Sequence, residues 1–423
     1  MRDEDLQTCL RVLAELAEAP PDDPGLARVR DAVAAFTKRR RGHDRSAARR
    51  RQAEADAALL ASTATGAPTR REGAPLGSAL PVAHRPLGNL RNCYACGANF
   101  REVDAFYHRL CPPCADEHRL RRAARTDLSG RRALVTGGRV KAGFELVLKL
   151  LRDGAAVTAM TRFPRDARAR FAAVPDHRDW WDRLTVTGID LRDIPALVRW
   201  CDARVASGEP LDILVNLAAQ TVRRPPESYA ALVAAEEAPA LAAGPAFPES
   251  EALDVAGLLP DPSPVNSWTS LVHEVDPVEL LEVQLINVTA PFLLLGRLRT
   301  LLERSAHPRR YVVNVSAVEG QFGRRYKGAE HPHTNMAKAA LNMLTRTGAD
   351  ELAASGVFMT SVDPGWFTDQ RPEPDRERRT AAGFRPPLDV VDAAARVYDP
   401  IVRGEAGEPM HGCFLKDYRV TSW

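Results

Sequence analysis

Ala133-Leu134-Val135-Thr136-Gly137-Gly138-Arg139-Val140-Lys141-Ala142-Gly143 begins as a short apolar run and ends in a glycine turn, and Phe144 to Arg152 continues from it with helical periodicity. A strand feeding such a turn at the start of a helix leaves backbone N–H groups unpaired and pointing outward, a geometry that receives a phosphate. Asp153-Gly154 closes the helix, and Ala156 to Met160 reads as a second buried strand. Further short apolar runs follow at Leu184 to Ile189, Ile213 to Val215, Tyr311 to Val315 and Phe358 to Val362, with Gly412 to Tyr418 as a last strand closing the sheet edge. Strands alternating with amphipathic helices predict an α/β fold built on a doubly wound parallel sheet over residues 127–423.

The strand ends carry more than apolar residues. Thr136, Gly137 and Gly143 sit where the short-chain dehydrogenase/reductase family has its TGxxxGxG turn, with Gly138 and Arg139 inside it and Lys141 in place of the middle glycine. Asp190 follows the third strand, Asn216 and Ala218 the fourth, and Asn287 lies in Gln284-Leu285-Ile286-Asn287-Val288. Asp363-Pro364-Gly365 and Thr368 follow the sixth. In this order the segment resembles that family, which implies a Rossmann-type domain binding a nicotinamide dinucleotide. The resemblance implies contact with adenine for Asp190, with a water near the catalytic lysine for Asn287, and with the nicotinamide amide for Pro364, Gly365 and Thr368. The second strand ends in Thr161-Arg162 rather than in an acidic residue, so Arg162, with Arg139 and Lys141 nearby, points to NADP(H), with NAD(H) as the alternative.

The same resemblance places Lys338 as the catalytic lysine, four residues after the position where the family carries tyrosine; here that position is Thr334. A threonine hydroxyl ionises far too high to act as an acid and only orients or donates. In Val315-Ser316-Ala317-Val318-Glu319-Gly320 the family's serine position falls on Ala317, with Ser316 one step early and therefore on the opposite side of a strand. His333 is available as a replacement proton donor, since histidine titrates near neutrality; His331 and Thr334 can donate a hydrogen bond, and Tyr326 lies in a loop that can fold over the nicotinamide. Three readings stand: an oxidoreductase acting at a carbonyl/alcohol centre with a rebuilt proton donor (Lys338, Thr334, His333, Ser316 and Asn287), an enzyme of non-standard chemistry, or an inactive dinucleotide-binding sensor or scaffold.

Upstream, Cys93-x-x-Cys96 and Cys111-x-x-Cys114 are two pairs fourteen residues apart. Each pair can place two thiolates on one ion, and four close a tetrahedral site, so a structural zinc knuckle is expected over residues 91–126. Residues 1–62 read as helical, interrupted at Pro20-Pro21, and residues 63–90, rich in Gly, Pro and Ala, read as a linker. An insertion spans about 221–268, either a substrate lid or a segment without catalytic role.

Composition sets outer bounds. With 423 residues, 45% hydrophobic and a net charge of +3, the chain suits a large folded domain with attached units and is neither disordered nor a basic nucleic-acid module. Only six of its 58 Lys+Arg are lysines, so scattered arginines carry little weight while Lys141 and Lys338 carry more. Lys38-Arg39-Arg40-Arg41 and Arg49-Arg50-Arg51 are either an acidic-partner contact or a solvated helix face. Without an apolar leader or spanning run, and with cysteines spaced for metal rather than disulfides, a cytoplasmic setting is expected. The expected partners are a small-molecule or carrier-held substrate, a macromolecule docked on the knuckle and basic helices, and a second copy of the chain.

Overall fold

A computed structural model describes residues 2–77, 83–237, 253–259, 261–324 and 326–423. The chain divides into two compact units, residues 1–59 with 87–90, and residues 60–86 with 91–423.

The first unit is built on helix α1 (Asp3–Ala17) and the long helix α2 (Pro24–Ala61). Three acidic residues in the first turn of α1 suit the positive end of its dipole. Asp23 caps α2 by accepting the N–H groups of Gly25 and Leu26, and Pro24 needs no partner there. The arginines of α2 lie on exposed faces, some in i,i+4 pairs such as Arg40 with Asp44 and Arg50 with Glu54. Asp56, almost fully buried, accepts the backbone N–H groups of Gly88 and Asn89.

In the second unit, residues 84–86 and 91–92 of strand β1 (His84–Asn92) pair antiparallel with β2 (Asn99–Asp104), and α3 (Pro112–Ala123) follows. The chain then alternates: β3 (Arg132–Thr136), α4 (Lys141–Arg152), β4 (Ala156–Thr161), α5 (Pro164–Ala172), β5 (Leu184–Gly188), α6 (Ile194–Ser207), β6 (Ile213–Asn216) and α7 (Ala230–Glu237). Next come α8 (Pro277–Gln284), α9 (Ala290–Glu303), β7 (Arg310–Val315), α10 (Pro332–Ala354), β8 (Val357–Val362), α11 (Glu373–Ala381), α12 (Val390–Glu405), β9 (Phe414–Lys416) and β10 (Arg419–Thr421).

The large sheet runs β10-β9-β8-β7-β6-β3-β4-β5, parallel except for β10. Successive strand residues feed opposite faces: Ala133 and Val135 join one core with α4 and α12, whereas Leu134 joins another with α6 and α9. This is the doubly wound Rossmann arrangement. The last strand departs from expectation, since β9 is not the edge: a two-residue turn with positive φ at Asp417 (47°) and Tyr418 (65°) reverses the chain and β10 forms the edge. Tyr418 is buried there and Asp417 is tied to Arg396 and Lys416, which offsets a turn built without glycine.

The run Pro277–Glu303 is long and apolar enough to cross a membrane by composition alone. In the fold its leucines 294, 298 and 301 are buried in the core, which is the reading its packing supports.

The stretch 63–90, expected as a linker, departs from that expectation. Residues 78–82 lie outside the described residues, but what precedes them is strapped down. Thr65 bonds the Phe106 carbonyl and His108, Arg70 donates to the carbonyls of Pro386 and Leu388, and the Leu76 N–H donates to Asp389. Gly and Pro announce irregular backbone, and irregular backbone still has donors and acceptors that must be paired.

Candidate active site and four-cysteine centre

The order of strands reverses between β3 and β6, and ligands of doubly wound sheets lie outside the strand ends at that point. A cavity of about 1310 Å³ opens there. Gly137 has φ +75°, and a Cβ on it would stand 2.9 Å from Ala218 Cα; a Cβ on Gly143 would stand 2.1 Å from the Gly137 carbonyl oxygen. Both positions exclude any side chain. Thr136 ties the turn to the neighbouring strand end, its hydroxyl accepting the N–H groups of Leu217 and Ala218. Lys141 opens α4 with φ 54°, a left-handed conformation that explains why the related turn uses glycine. Its ammonium lines the cavity, has no hydrogen bond or ion pair among the described residues, and burial lowers its pKa.

At the end of β4, Arg162 is exposed to the cavity, its guanidinium over the rings of Phe163 and Tyr229 and unpaired with any carboxylate among the described residues. Arg139 does not share that freedom. It is buried, bonded to Asp166 and to the Ala256 carbonyl, so it braces the turn rather than presenting a free charge. Asp190 lines the cavity and is held in a fork by Arg192, whose hydrogen bonds keep its carboxyl ionised against burial. Asn216 donates to Asn314, which donates to Thr345 beneath the sheet, so it supports the strand ends from below. Ala218 and Gly138 lie at close approaches; a Cβ on Gly138 would stand 3.1 Å from the Cβ of Ala159. Gly365 has φ +80° and its N–H donates to Asp363, while Thr368 lines the cavity and accepts from Gln370.

Lys338 projects from α10 into the cavity wall, 5% exposed, its ammonium donating to the Val315 carbonyl at 2.8 Å. Burial brings its pKa down to about 8, opposed by Glu319 and Asp363. Burial, with Asp417 beside it, raises Asp363 to about 6. Asn287 sits in a π-helical turn (Leu285–Thr289) between α8 and α9, exchanging two hydrogen bonds with the backbone of Gln220. Such turns disturb the helical ladder and cluster at functional sites.

Of the residues expected on the catalytic wall, Ser316 lines the cavity but directs its hydroxyl elsewhere, and two others lie away from it. Ser316 turns its hydroxyl to the Lys338 carbonyl, and Ala317 stands beside it on the cavity. Gly320 lets that strand end approach, since a Cβ there would meet the Lys338 backbone at 2.7 Å. His333 and Thr334 are buried and do not line the cavity. The threonine side chain is too short to reach where a phenol would. His333 faces α8, its Nε2 4.0 Å from Glu279, and burial lowers its pKa. The histidine that does line the cavity is His331.

The described parts of the insertion also reach the cavity: Arg224, Tyr229, Asp254 and Ala256 line it, and Leu232, Ala256 and Leu258 pack on Phe163. Residues 238–252 and 260 of the insertion lie outside the described residues. Glu72, from the stretch expected as linker, accepts the Asp369 N–H and lines the cavity, while the neighbouring Gly73 approaches both Val255 and Lys141.

The four thiols of Cys93, Cys96, Cys111 and Cys114 lie within 4.8 Å of one another. Cys96 and Cys111 Sγ atoms are 3.7 Å apart, close to the ~3.8 Å edge of a tetrahedron with metal–sulfur bonds of about 2.3 Å. The set therefore fits a zinc ion with all four positions filled by protein. Between two of these cysteines, Tyr94 reaches the cavity, its phenol accepting the Trp366 N–H at 2.8 Å in the turn after Pro364-Gly365. Sequence reading gave Tyr94 no role, because nothing local shows that a knuckle residue lies against a turn 272 residues away.

No family model matches the chain. An uncharacterized protein of Acanthamoeba polyphaga mimivirus is 32% identical over 340 residues, 74% of this chain and 72% of the viral one. The chain belongs to the family of this mimivirus protein. The stretch shared with the mimivirus relative is longer than residues 127–423, so it continues N-terminal to the Rossmann domain. Among solved structures, the chain is similar to Pseudomonas aeruginosa RhlG in an NADP complex, at 23% identity, covering 68% of this chain and 95% of that one with a TM-score of 0.48. A chicken fatty liver carbonyl reductase bound to NADPH gives 19%, 70%, 100% and 0.48, and the carbonyl reductase Sniffer of D. melanogaster 18%, 69%, 99% and 0.48.

Proposed function

We propose that the protein is an NADP(H)-dependent oxidoreductase of the short-chain dehydrogenase/reductase type, acting at a carbonyl/alcohol centre, with a structural zinc in its four-cysteine knuckle. The observation that carries this reading is the convergence of three features on one cavity: the side-chain-free turn at Gly137 and Gly143, the buried Lys338, and the unpaired cations of Lys141 and Arg162. Bound there, NADP(H) supplies or accepts a hydride.

The chain's own residues then divide the work. The N-terminus of α4, with Lys141, receives phosphate charge. Arg162 offers a planar fork to a 2′-phosphate, which an NAD(H) site would meet with a carboxylate. Lys338 donates from a dry environment to sugar hydroxyls, and Pro364, Gly365 and Thr368 form the far wall. The knuckle belongs to this site: Tyr94 holds the Trp366 N–H, so a filled metal centre fixes the turn that faces the nicotinamide end.

Fluorescence titration of the protein with NADPH and NADH tests the reading. Binding of NADPH at least tenfold tighter than NADH is expected, with the preference lost in Arg162→Ala. Failure to bind either dinucleotide refutes it. Metal analysis is expected to give one zinc per chain, and much less than one removes the zinc assignment.

A further inference from the structure

The tyrosines and histidine that line the cavity are Tyr94, Tyr229, Tyr326 and His331, and Tyr229 lies under the Arg162 guanidinium at the end of β4. Tyr94 is committed elsewhere, because its phenol oxygen already accepts the Trp366 N–H at 2.8 Å and holds that turn. Tyr326 is 78% exposed in a loop, and no hydrogen bond among the described residues holds its phenol. A proton donor must be held, since general acid catalysis depends on reach and orientation.

His331 is held from three sides. Its Nδ1 bonds the Trp268 carbonyl at 2.8 Å, its backbone N–H bonds the Ser270 carbonyl at 2.9 Å, and its ring stacks on Trp268 with centroids 4.1 Å apart and planes 8° from parallel. The Nδ1 contact to a carbonyl fixes a proton on Nδ1 and leaves Nε2 as the working nitrogen, the same arrangement that orients catalytic histidines. Nε2 has no partner among the described residues and is not enclosed in the interior, in contrast to both nitrogens of His333. The residue also adopts φ 45° and ψ 50°, a left-handed conformation unusual for histidine, at the N-terminal cap of the helix that carries Lys338 two turns later. Strain of this kind persists where surrounding contacts over-determine it, and here they do.

We propose that His331 is the proton donor of the reductive direction, in place of the tyrosine that Thr334 replaces; this rests on the oxidoreductase reading above. A carbonyl substrate gains a hydride from NADPH at carbon, the C=O π pair moves to oxygen, and that oxygen takes the proton from His331 Nε2. The products are the alcohol, NADP⁺ and neutral His331, which regains its proton from water. In oxidation each transfer runs in reverse. Glu330, next to His331 in the chain, pairs with Arg371 at 3.6 Å, and His333, in the first turn of α10, has its pKa lowered by burial and by the nearby His331.

The test compares wild type, His331→Gln, His331→Ala and Tyr326→Phe. NADPH binding by fluorescence is expected to be unchanged in the histidine variants, which shows that the fold and cofactor site survive. NADPH oxidation with 4-nitrobenzaldehyde as probe is expected to fall about 100-fold or more in both histidine variants, the contribution usual for a general acid. Added imidazole should restore part of the His331→Ala rate, a rescue that a merely structural role would not give. Retention of activity within threefold in His331→Gln, or loss in Tyr326→Phe instead, overturns the assignment. Wild type that binds NADPH yet reduces no aldehyde overturns it as well, whereas wild type that fails to bind NADPH overturns the underlying oxidoreductase reading with it.

Discussion

Asp389→Ala is expected to remove about 5 kcal/mol from the second unit, because one carboxylate holds three elements together. Asp389 is fully buried at the N-terminus of α12, where its side chain accepts the Asp392 N–H in a capping box. It also receives both guanidinium nitrogens of Arg122 from α3, and the Leu76 N–H from the strap. Loss of the cap costs about 1 kcal/mol, and an orphaned Leu76 N–H about 1 kcal/mol more. Arg122, itself 7% exposed, is left with Asp392 at 3.0 Å, so its stranding falls at the low end of the buried-pair range, about 3 kcal/mol. Since whole-domain stabilities are ~5–15 kcal/mol, the variant should be close to unfolded at room temperature. Equilibrium urea unfolding followed by tryptophan fluorescence measures this. Asp389→Asn, which keeps the cap oxygen but not the charge, should lose roughly half as much, since caps accept asparagine. A loss below about 1 kcal/mol for Asp389→Ala at unchanged m-value would refute the claim that the knuckle helix and strap are integral to the Rossmann fold.

Gly143→Val should abolish NADPH binding with little change in circular dichroism, because even a Cβ there meets the Gly137 carbonyl oxygen at 2.1 Å; retained affinity would show that the turn opens freely. Lys141→Gly should move stability and function in opposite directions. Relief of the left-handed φ gains about 1 kcal/mol in unfolding measurements, while loss of the unpaired ammonium weakens NADPH binding in titration. NADPH affinity should also depend on pH through Lys338. Its pKa in the free protein is depressed to about 8, so the charge that favours a polyanion is present below pH 8 and lost above it. Isothermal titration should therefore show affinity flat below pH 8 and weakening above, a trend absent in Lys338→Met.

What the sequence disclosed and what it concealed differ in range. The βαβ around Gly137 and the two cysteine pairs are local: a turn that tolerates no Cβ and thiols two residues apart must be written in consecutive residues, and both were legible. Lys141 was legible as an anomaly, and its φ of 54° supplies the reason glycine is usual there. Arg139 misled because a cation in a phosphate turn looks free until Asp166 and the Ala256 carbonyl are seen to hold it. His333 and Thr334 misled for a different reason. Spacing from Lys338 fixes where a residue lies along α10, but the left-handed backbone at His331 decides which side chain enters the cavity, and that conformation is imposed by Trp268 and Ser270, some sixty residues away. The knuckle looked separable because its cysteines are a self-contained signal. Its inner face is not self-contained: Tyr107 donates to Asp392, Arg122 pairs with Asp389, and Arg396 bonds His118 and Asp417. Each of these polar groups is buried and finds its partner only across elements, so removing either side would strand charge in a dry interior. That obligation makes the four-cysteine module a wall of the sheet domain, and it is why Tyr94 can hold the Trp366 turn in place.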